Sequence, residues 1–359
     1  MTAAKALVLI TGTGRSGTST MSGTFHHLGL HVPGPYLGSN ESNPKGFFES
    51  RWAVRFHNRL TERAGIHIFD SRPGAFQRAQ AAIRPDDRER LSTFLATHAA
   101  ESDQLVVKDP RTVWFQALWR EVAAEHGLDI RYVSMLRHPA EVVGSRTTYY
   151  SGHEADRSEE AERKRRRYAI FNVARWVNSS LVNERETRGQ TRAFVRYTDL
   201  LTDWRPVLAR LGEDLGLRYD VDIAEPNAVD DFIDPALRRH TVTWEELDVP
   251  RDLQEVAQAV WDALQPLADN GGADPEASAR LDELARHYER VLEDAAAIDL
   301  DGRSEAVANA RRRGAADAHE AAAAAGLEGT PVGDVGSRDL ARVLGRRVVA
   351  RLRRSREGL

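Results

Sequence analysis

Ala6-Leu7-Val8-Leu9-Ile10-Thr11-Gly12-Thr13-Gly14-Arg15-Ser16-Gly17-Thr18-Ser19 runs an apolar segment directly into a glycine-rich turn. Ala6 to Thr11 is continuous and partly β-branched, the pattern of a strand buried on both faces of a parallel sheet. Thr20 to Leu28 then has helical spacing, and strand–glycine turn–helix is how a phosphate-binding βα unit opens. Leu105–Lys108 and Ile130–Leu136 repeat the buried-strand pattern, and Ala193–Tyr197 is a shorter fourth candidate. Helical stretches fall between them at Arg88–Ala100, Val113–His126 and Arg166–Arg185. The alternation predicts an α/β fold: a P-loop-type parallel sheet flanked by helices. Beyond residue 250 the strands stop. Asp252–Ala268 and Pro275–Ala297 read as two helices joined by an Asn-Gly-Gly turn, so the chain carries a helical C-terminal extension.

Gly12-x4-Gly17-Thr18-Ser19 matches the pattern G-x4-G-K-[ST] except at the lysine, where this chain has Thr18. In nucleoside triphosphate enzymes that lysine reaches the β- and γ-phosphates. Without it, the backbone N–H groups and the helix N-terminus still cradle a phosphate. The nucleotide implied is one without β- and γ-phosphates. Arg15 returns a positive charge to the turn, where its guanidinium can grip a non-bridging or a leaving oxygen.

Thr11-Gly-Thr-Gly-Arg-Ser-Gly-Thr-Ser-Thr20 resembles the 5′-phosphosulfate loop of sulfotransferases that use 3′-phosphoadenosine-5′-phosphosulfate (PAPS), in the bacterial and carbohydrate-type branch. The resemblance implies that Gly14, Arg15, Ser16, Gly17, Thr18 and Ser19 hold the 5′-phosphosulfate. It implies PAPS as donor and 3′,5′-ADP as product. The family's second signature is an arginine ending a strand with a serine eight residues on, and Arg137 and Ser145 resemble it. Pro139 suits a first helical position, which puts Arg137 at the strand end and Ser145 two turns into a helix. Both would bind the donor's 3′-phosphate, the arginine as a fork-shaped donor. Arg196-Tyr197-Thr198-Asp199-Leu200 resembles a stretch whose tyrosine, here Tyr197, lies near the adenine. Phe232 to His240 offers Arg238, Arg239 and His240 as further basic contacts.

Sulfuryl transfer to a hydroxyl needs a base, worth about 10²–10⁴-fold. Asn43-Pro44-Lys45-Gly46-Phe47-Phe48-Glu49 resembles the segment that carries the carbohydrate branch's glutamate, which makes Glu49 the expected base and Glu41 its substitute. One branch places its glutamate before the paired aromatics, where this chain has Gly46. Lys108-Asp109-Pro110-Arg111 follows the second strand and falls at the sheet's carboxyl edge, where such sheets bind ligands. Lys108 or Asp109 is expected to orient the acceptor or stabilise developing charge, so Arg15, Glu49 and Lys108 form the catalytic set. Asp109 equally resembles a magnesium-binding carboxylate or a capping residue. No metal centre is indicated, because adjacent His26 and His27 point to different sides of a helix.

A net charge of -4 and a pI near 6.3 leave nucleic acid without support as a partner. There are no cysteines, which removes disulfides and thiolate chemistry and fits a reducing compartment. No apolar run reaches the ~20 residues of a membrane span, so a cytoplasmic protein is expected, peripheral on the inner membrane face at most. Only Lys5, Lys45, Lys108 and Lys164 are lysines among 50 basic residues, a bias associated with GC-rich bacterial genomes. Residues 1–250 are expected to form the sulfotransferase α/β domain and 251–300 a helical hairpin packed on it. Residues 301–337 read as a weakly structured linker. A basic amphipathic tail follows over 338–359, able to lie on an anionic membrane or a partner. The acceptor expected is a small molecule or a glycan. Loops around 34–49, 66–82 and 149–167 are the expected acceptor pocket. Two other readings remain open: a P-loop small-molecule kinase, and a non-catalytic nucleotide-binding or membrane-docked protein.

Overall fold

The computed structural model describes residues 5–39, 43, 45–150, 158–234 and 242–324. Four strands form the sheet: β1 (Lys5–Thr11), β2 (Gln104–Lys108), β3 (Leu128–Leu136) and β4 (Arg192–Arg196). Their order is β2-β1-β3-β4, and every pairing is parallel. Leu9 of β1 lies opposite Val107 on one side and Tyr132 on the other.

Alternation along β1 explains its unbroken apolar run. Leu7 and Leu9 face one core, built with α2 (Arg51–Ala64), α3 (Ala75–Ala81), α4 (Pro85–Glu101) and α5 (Gln116–Glu125). Val8 and Ile10 face the opposite core, with α1 (Thr18–His27) and the later helices α8 (Tyr197–Thr202) and α9 (Trp204–Leu215). Successive strand residues point to opposite faces, so a strand covered on both sides favours apolar residues at consecutive positions. Ala6 through Ile10 are wholly buried.

The remaining helices are α6 (Pro139–Tyr150), α7 (Glu159–Thr187), α10 (Ala228–Phe232), α11 (Arg251–Asp269), α12 (Pro275–Ile298) and α13 (Leu300–Ala324). Helix α7 takes in residues 159–167, the end of one segment expected among the acceptor loops. Ser158 caps it by accepting from Ala161 N, and Glu159, Glu160 and Glu162 sit in its first turn, the favourable end for anions. Helix α11 packs on α7 and β4. Tyr288 of α12 donates to the carbonyls of Ser71 and Ala174, and buried Glu184 accepts from Arg188, Arg192 and Ser278.

The chain divides into two units, the second beginning at Leu292. Within that second unit, Leu300–Ala324 is helical where a weakly structured linker was expected. The alanine richness that lacked core-forming side chains is itself strong helix propensity. Leu300 and Val307 on it are exposed. The basic tail at 338–359 and the rest of the expected linker lie outside the described residues, as do Glu41, Arg238, Arg239 and His240. No helix among the described residues is long and apolar enough to cross a membrane.

Candidate active site

Strand order places the site. The chain leaves β1 toward β2 and leaves β3 toward β4, in opposite directions, so the sheet's switch point lies between β1 and β3. Open parallel sheets bind ligands at the carboxyl ends of the strands flanking such a point. Gly12–Gly17 follows β1 and Arg137 follows β3. The two expected phosphate anchors, 120 residues apart in sequence, thus meet at one crevice.

The turn is tightly specified. Gly12 has φ +122° and lies so near β3 that a Cβ would come 2.7 Å from the Met135 carbonyl oxygen. Gly17, the left-handed residue preceding α1, has φ +88°, and a Cβ there would meet the Tyr197 ring at 2.1 Å. Arg15 adopts φ +74° although it is not glycine. Such strain in a binding turn persists only when surroundings enforce it. Here the Thr13 and Ser16 hydroxyls bond at 2.7 Å, and Arg137 Nη1 donates to the Arg15 carbonyl at 2.9 Å. Arg15 Nε in turn donates to Ser145 Oγ at 3.1 Å.

Arg15, Arg137 and Ser145 therefore form one connected group. Arg137 ends β3 and Ser145 lies two turns into α6, as the spacing around Pro139 predicts. Arg137 also pairs with Glu141 one turn along (3.0 Å) and lies 5.1 Å from the centre of the Tyr197 ring. Tyr197 opens α8 and is buried between Gly17 and Arg137. Its ring props the turn and the arginine. Arg196 beside it is committed elsewhere, to Gln265 and Asp269 of α11.

Across the turn lies a second cluster. Lys108, last residue of β2, donates from Nζ to Ser19 Oγ at 2.9 Å and to Glu49 Oε1. Glu49 is 6% exposed and Lys108 3%. Burial pushes the Glu49 carboxyl above its ordinary range; Lys108 opposes that, and Asp109 adds to it. Phe48, in the left-handed region at φ +49°, aims Glu49 inward. Its carbonyl accepts from Ser22 of α1 at 2.9 Å, and its ring packs among His26, His27, Tyr36 and Phe232. Gly23 of α1 makes room, since a Cβ there would strike the Phe232 and Phe48 rings.

Asp109 makes its hydrogen bonds to other groups. It caps the short 3-10 turn Pro110–Trp114 by accepting from Arg111 N and also takes Arg111 Nη1. Its other oxygen lies 2.9 Å from His57 Nδ1. Trp119 Nε1, which can only donate, bonds His57 Nε2 at 2.8 Å, so Nδ1 carries the proton. Burial would raise the Asp109 carboxyl, but His57 and Arg111 outweigh it and hold it well below the usual range. Capping is its observed role, and His57 on α2 is the buried partner that reading the strand end alone could not find. Asp109 is committed to Arg111 and His57, which fits the capping alternative.

A small cavity adjoins the turn, lined by Gly12, Thr13, Arg137, Asn183 and Ser179, whose buried hydroxyl has no hydrogen-bond partner. Among the described residues, one group has side chains gathered as metal ligands are: His31, His98 and Glu101, remote from the turn.

The family model described as a sulfotransferase family matches residues 8–221, more than half of the chain. No curated protein matches. Among solved structures, the sulfotransferase domain from the Synechococcus PCC 7002 olefin synthase is 16% identical, covering 80% of this chain and 96% of its own, with a TM-score of 0.36. The sulfotransferase domain from the curacin biosynthetic pathway is also 16% identical, covering 71% of this chain and 96% of its own, with a TM-score of 0.34.

Proposed function

Because the chain belongs to the sulfotransferase family, we propose that it moves a sulfuryl group from PAPS to an acceptor hydroxyl, with Glu49 as the base. The observation that carries this reading is the Ser19–Lys108–Glu49 chain: a buried carboxylate wired through one ammonium to the phosphate turn. The donor's 5′-phosphosulfate would lie on residues 14–19. Arg137 and Ser145 would take the 3′-phosphate, with Arg15 joining the two sites.

The acceptor oxygen attacks sulfur in line as the bond from sulfur to the bridging phosphate oxygen breaks. The hydroxyl proton passes to Glu49, and the departing electron pair stays on the 5′-phosphate of 3′,5′-ADP. Charge developing on that oxygen is met by turn N–H groups, Arg15 and Lys108, donors already in position before reaction. A carboxyl raised by burial is a better base than an ordinary glutamate. The acceptor proposed is a hydroxyl of a glycan, glycolipid or similar metabolite, a choice that rests on the likeness of the turn and of residues 43–49 to the carbohydrate branch.

Titration calorimetry with 3′,5′-ADP, and separately with ATP and Mg²⁺, tests the donor. Tight binding of 3′,5′-ADP is expected; tight binding of ATP–Mg²⁺ with none of 3′,5′-ADP would overturn the proposal. Incubation with labelled PAPS and cell extract, followed by identification of the labelled product, names the acceptor.

A further inference from the structure

His31, His98 and Glu101 lie away from the phosphate turn. His31 follows α1 and bridges to the amino half of β2: its N–H bonds the Gln104 carbonyl, and its own carbonyl accepts from Val106 N. Lys108 ends the same strand three residues beyond Leu105, about 10 Å further along at the usual strand rise. His98 and Glu101 occupy the last turn of α4 at i, i+3, a spacing that puts both on one helix face.

Their ligand atoms form a nearly equilateral triangle. His31 Nε2 is 3.1 Å from His98 Nδ1 and 3.2 Å from Glu101 Oε2, and His98 Nδ1 is 3.0 Å from the same oxygen. Hydrogen bonding alone accounts poorly for three equal edges. A ring nitrogen has one proton or one lone pair in its plane, and aiming it at one corner turns it about 60° from the other, while good hydrogen bonds prefer angles above about 150°. Coordination asks for this triangle. Its corners lie about 1.8 Å from its centre, so an ion about 1 Å above the plane reaches all three at the ~2.0–2.1 Å of zinc–imidazole and zinc–carboxylate bonds.

We propose that His31, His98 and Glu101 bind a divalent transition-metal ion of the zinc class, in a site separate from the phosphate turn. Two imidazoles and one carboxylate suit zinc and its borderline neighbours rather than calcium or magnesium. Three protein ligands leave a fourth position for water or an outside ligand. Glu101 is half exposed (52%), which gives the ion a route in from solvent. A bound ion would clamp the segment after α1 to the end of α4, across the edge of the sheet at β2.

The experiment uses the untagged full chain stripped with chelator and then titrated with Zn²⁺ against a chromophoric competitor. One tight equivalent is expected, with a rise in melting temperature. Co²⁺ in its place should give visible d–d bands. His98→Ala and Glu101→Gln should each weaken Zn²⁺ binding at least tenfold and abolish the thermal shift, while 3′,5′-ADP binding stays unchanged. Glu101 is exposed, so its variant keeps the test valid should His98→Ala fold poorly. Absence of saturable binding, or binding undiminished in both variants, overturns the proposal.

Discussion

Replacing Lys108 by methionine keeps the aliphatic stem and deletes the ammonium that joins Glu49 to Ser19. Both partners are nearly enclosed, with side-chain exposures of 3% and 8%. Removing one member of such a buried pair strands the other, at a cost of about 3–5 kcal/mol. A domain of ordinary stability, about 5–15 kcal/mol, survives that loss and can be measured. The pH dependence is the sharper test. Glu49 already titrates above its ordinary value because of burial, and Lys108 is the main influence pulling it back. Without Lys108, the folded-state value rises further while the unfolded value stays put. A raised carboxyl favours folding fully below its unfolded value, and that contribution is lost as pH rises through the folded value. Lys108→Met should therefore be most destabilised at neutral pH and approach wild type on acidification below the ordinary glutamate range. Urea denaturation at pH 7 and pH 4 reads this directly. Adding Glu49→Gln should restore most of the loss at pH 7, because the stranded charge is gone. Equal destabilisation at both pH values, or strict additivity in the double variant, would refute the pairing.

Glu49→Gln alone should lower kcat by about 10²–10⁴-fold and leave 3′,5′-ADP affinity intact, as single-turnover assays and calorimetry would show. In the wild-type pH–rate profile, kcat/KM should fall on acidification at a pH above that of an unperturbed glutamate, because burial raises Glu49, and Glu49→Gln should lack that limb. Arg137→Ala should weaken 3′,5′-ADP binding by about 10–100-fold, the worth of charge-assisted hydrogen bonds of about 1.5–3 kcal/mol. Gly17→Ala combines a positive φ with a 2.1 Å approach to Tyr197; it should cost about 1–3 kcal/mol and nucleotide affinity, with part recovered by adding Tyr197→Ala. His57→Phe leaves Asp109 and Trp119 Nε1 without their partner, so it should lose about 3 kcal/mol in denaturation while keeping measurable turnover.

What could be read from the chain follows from how local each determinant is. The four strands were legible because a strand enclosed on both faces writes a dense apolar run, as Ala6–Ile10, Leu105–Val107 and Ala193–Val195 do. Helix α2 was not among the elements foreseen, although its arginines at 51, 55, 59 and 63 recur at the spacing of an amphipathic helix whose other face buries Ala53, Phe56, His57 and Leu60. Arg137 and Ser145 could be placed from Pro139 and strand-end position, a matter of ten residues. Other partnerships depend on contacts across the chain. His57 reaches Asp109 from 52 residues away, and His31 reaches His98 from 67. His98 and Glu101 share the last turn of α4, but nothing local to them names His31. Tyr197 was expected beside a base; its packing on Gly17 and Arg137 depends on α8 turning back over the phosphate turn.

The missing lysine at Thr18 takes on a different meaning once β2 is beside β1. Reading along the loop, its loss argues only against β- and γ-phosphates. In three dimensions an ammonium arrives at the loop's final serine from the neighbouring strand, as Lys108 Nζ bonds Ser19 Oγ. Delivered this way, the charge touches Glu49 as well as the loop, which a lysine at position 18, at the start of α1, need not do. Protonation of Glu49 would weaken its hold on Lys108 and leave the ammonium freer to meet charge on the phosphate side. Under the proposed mechanism, base and leaving-group stabiliser would then be coupled through one side chain: as the acceptor's proton reached Glu49, Lys108 would become available where the departing oxygen gains charge. This coupling requires that Lys108→Arg, which keeps the charge but brings a larger planar donor group, retain 3′,5′-ADP binding and lose turnover.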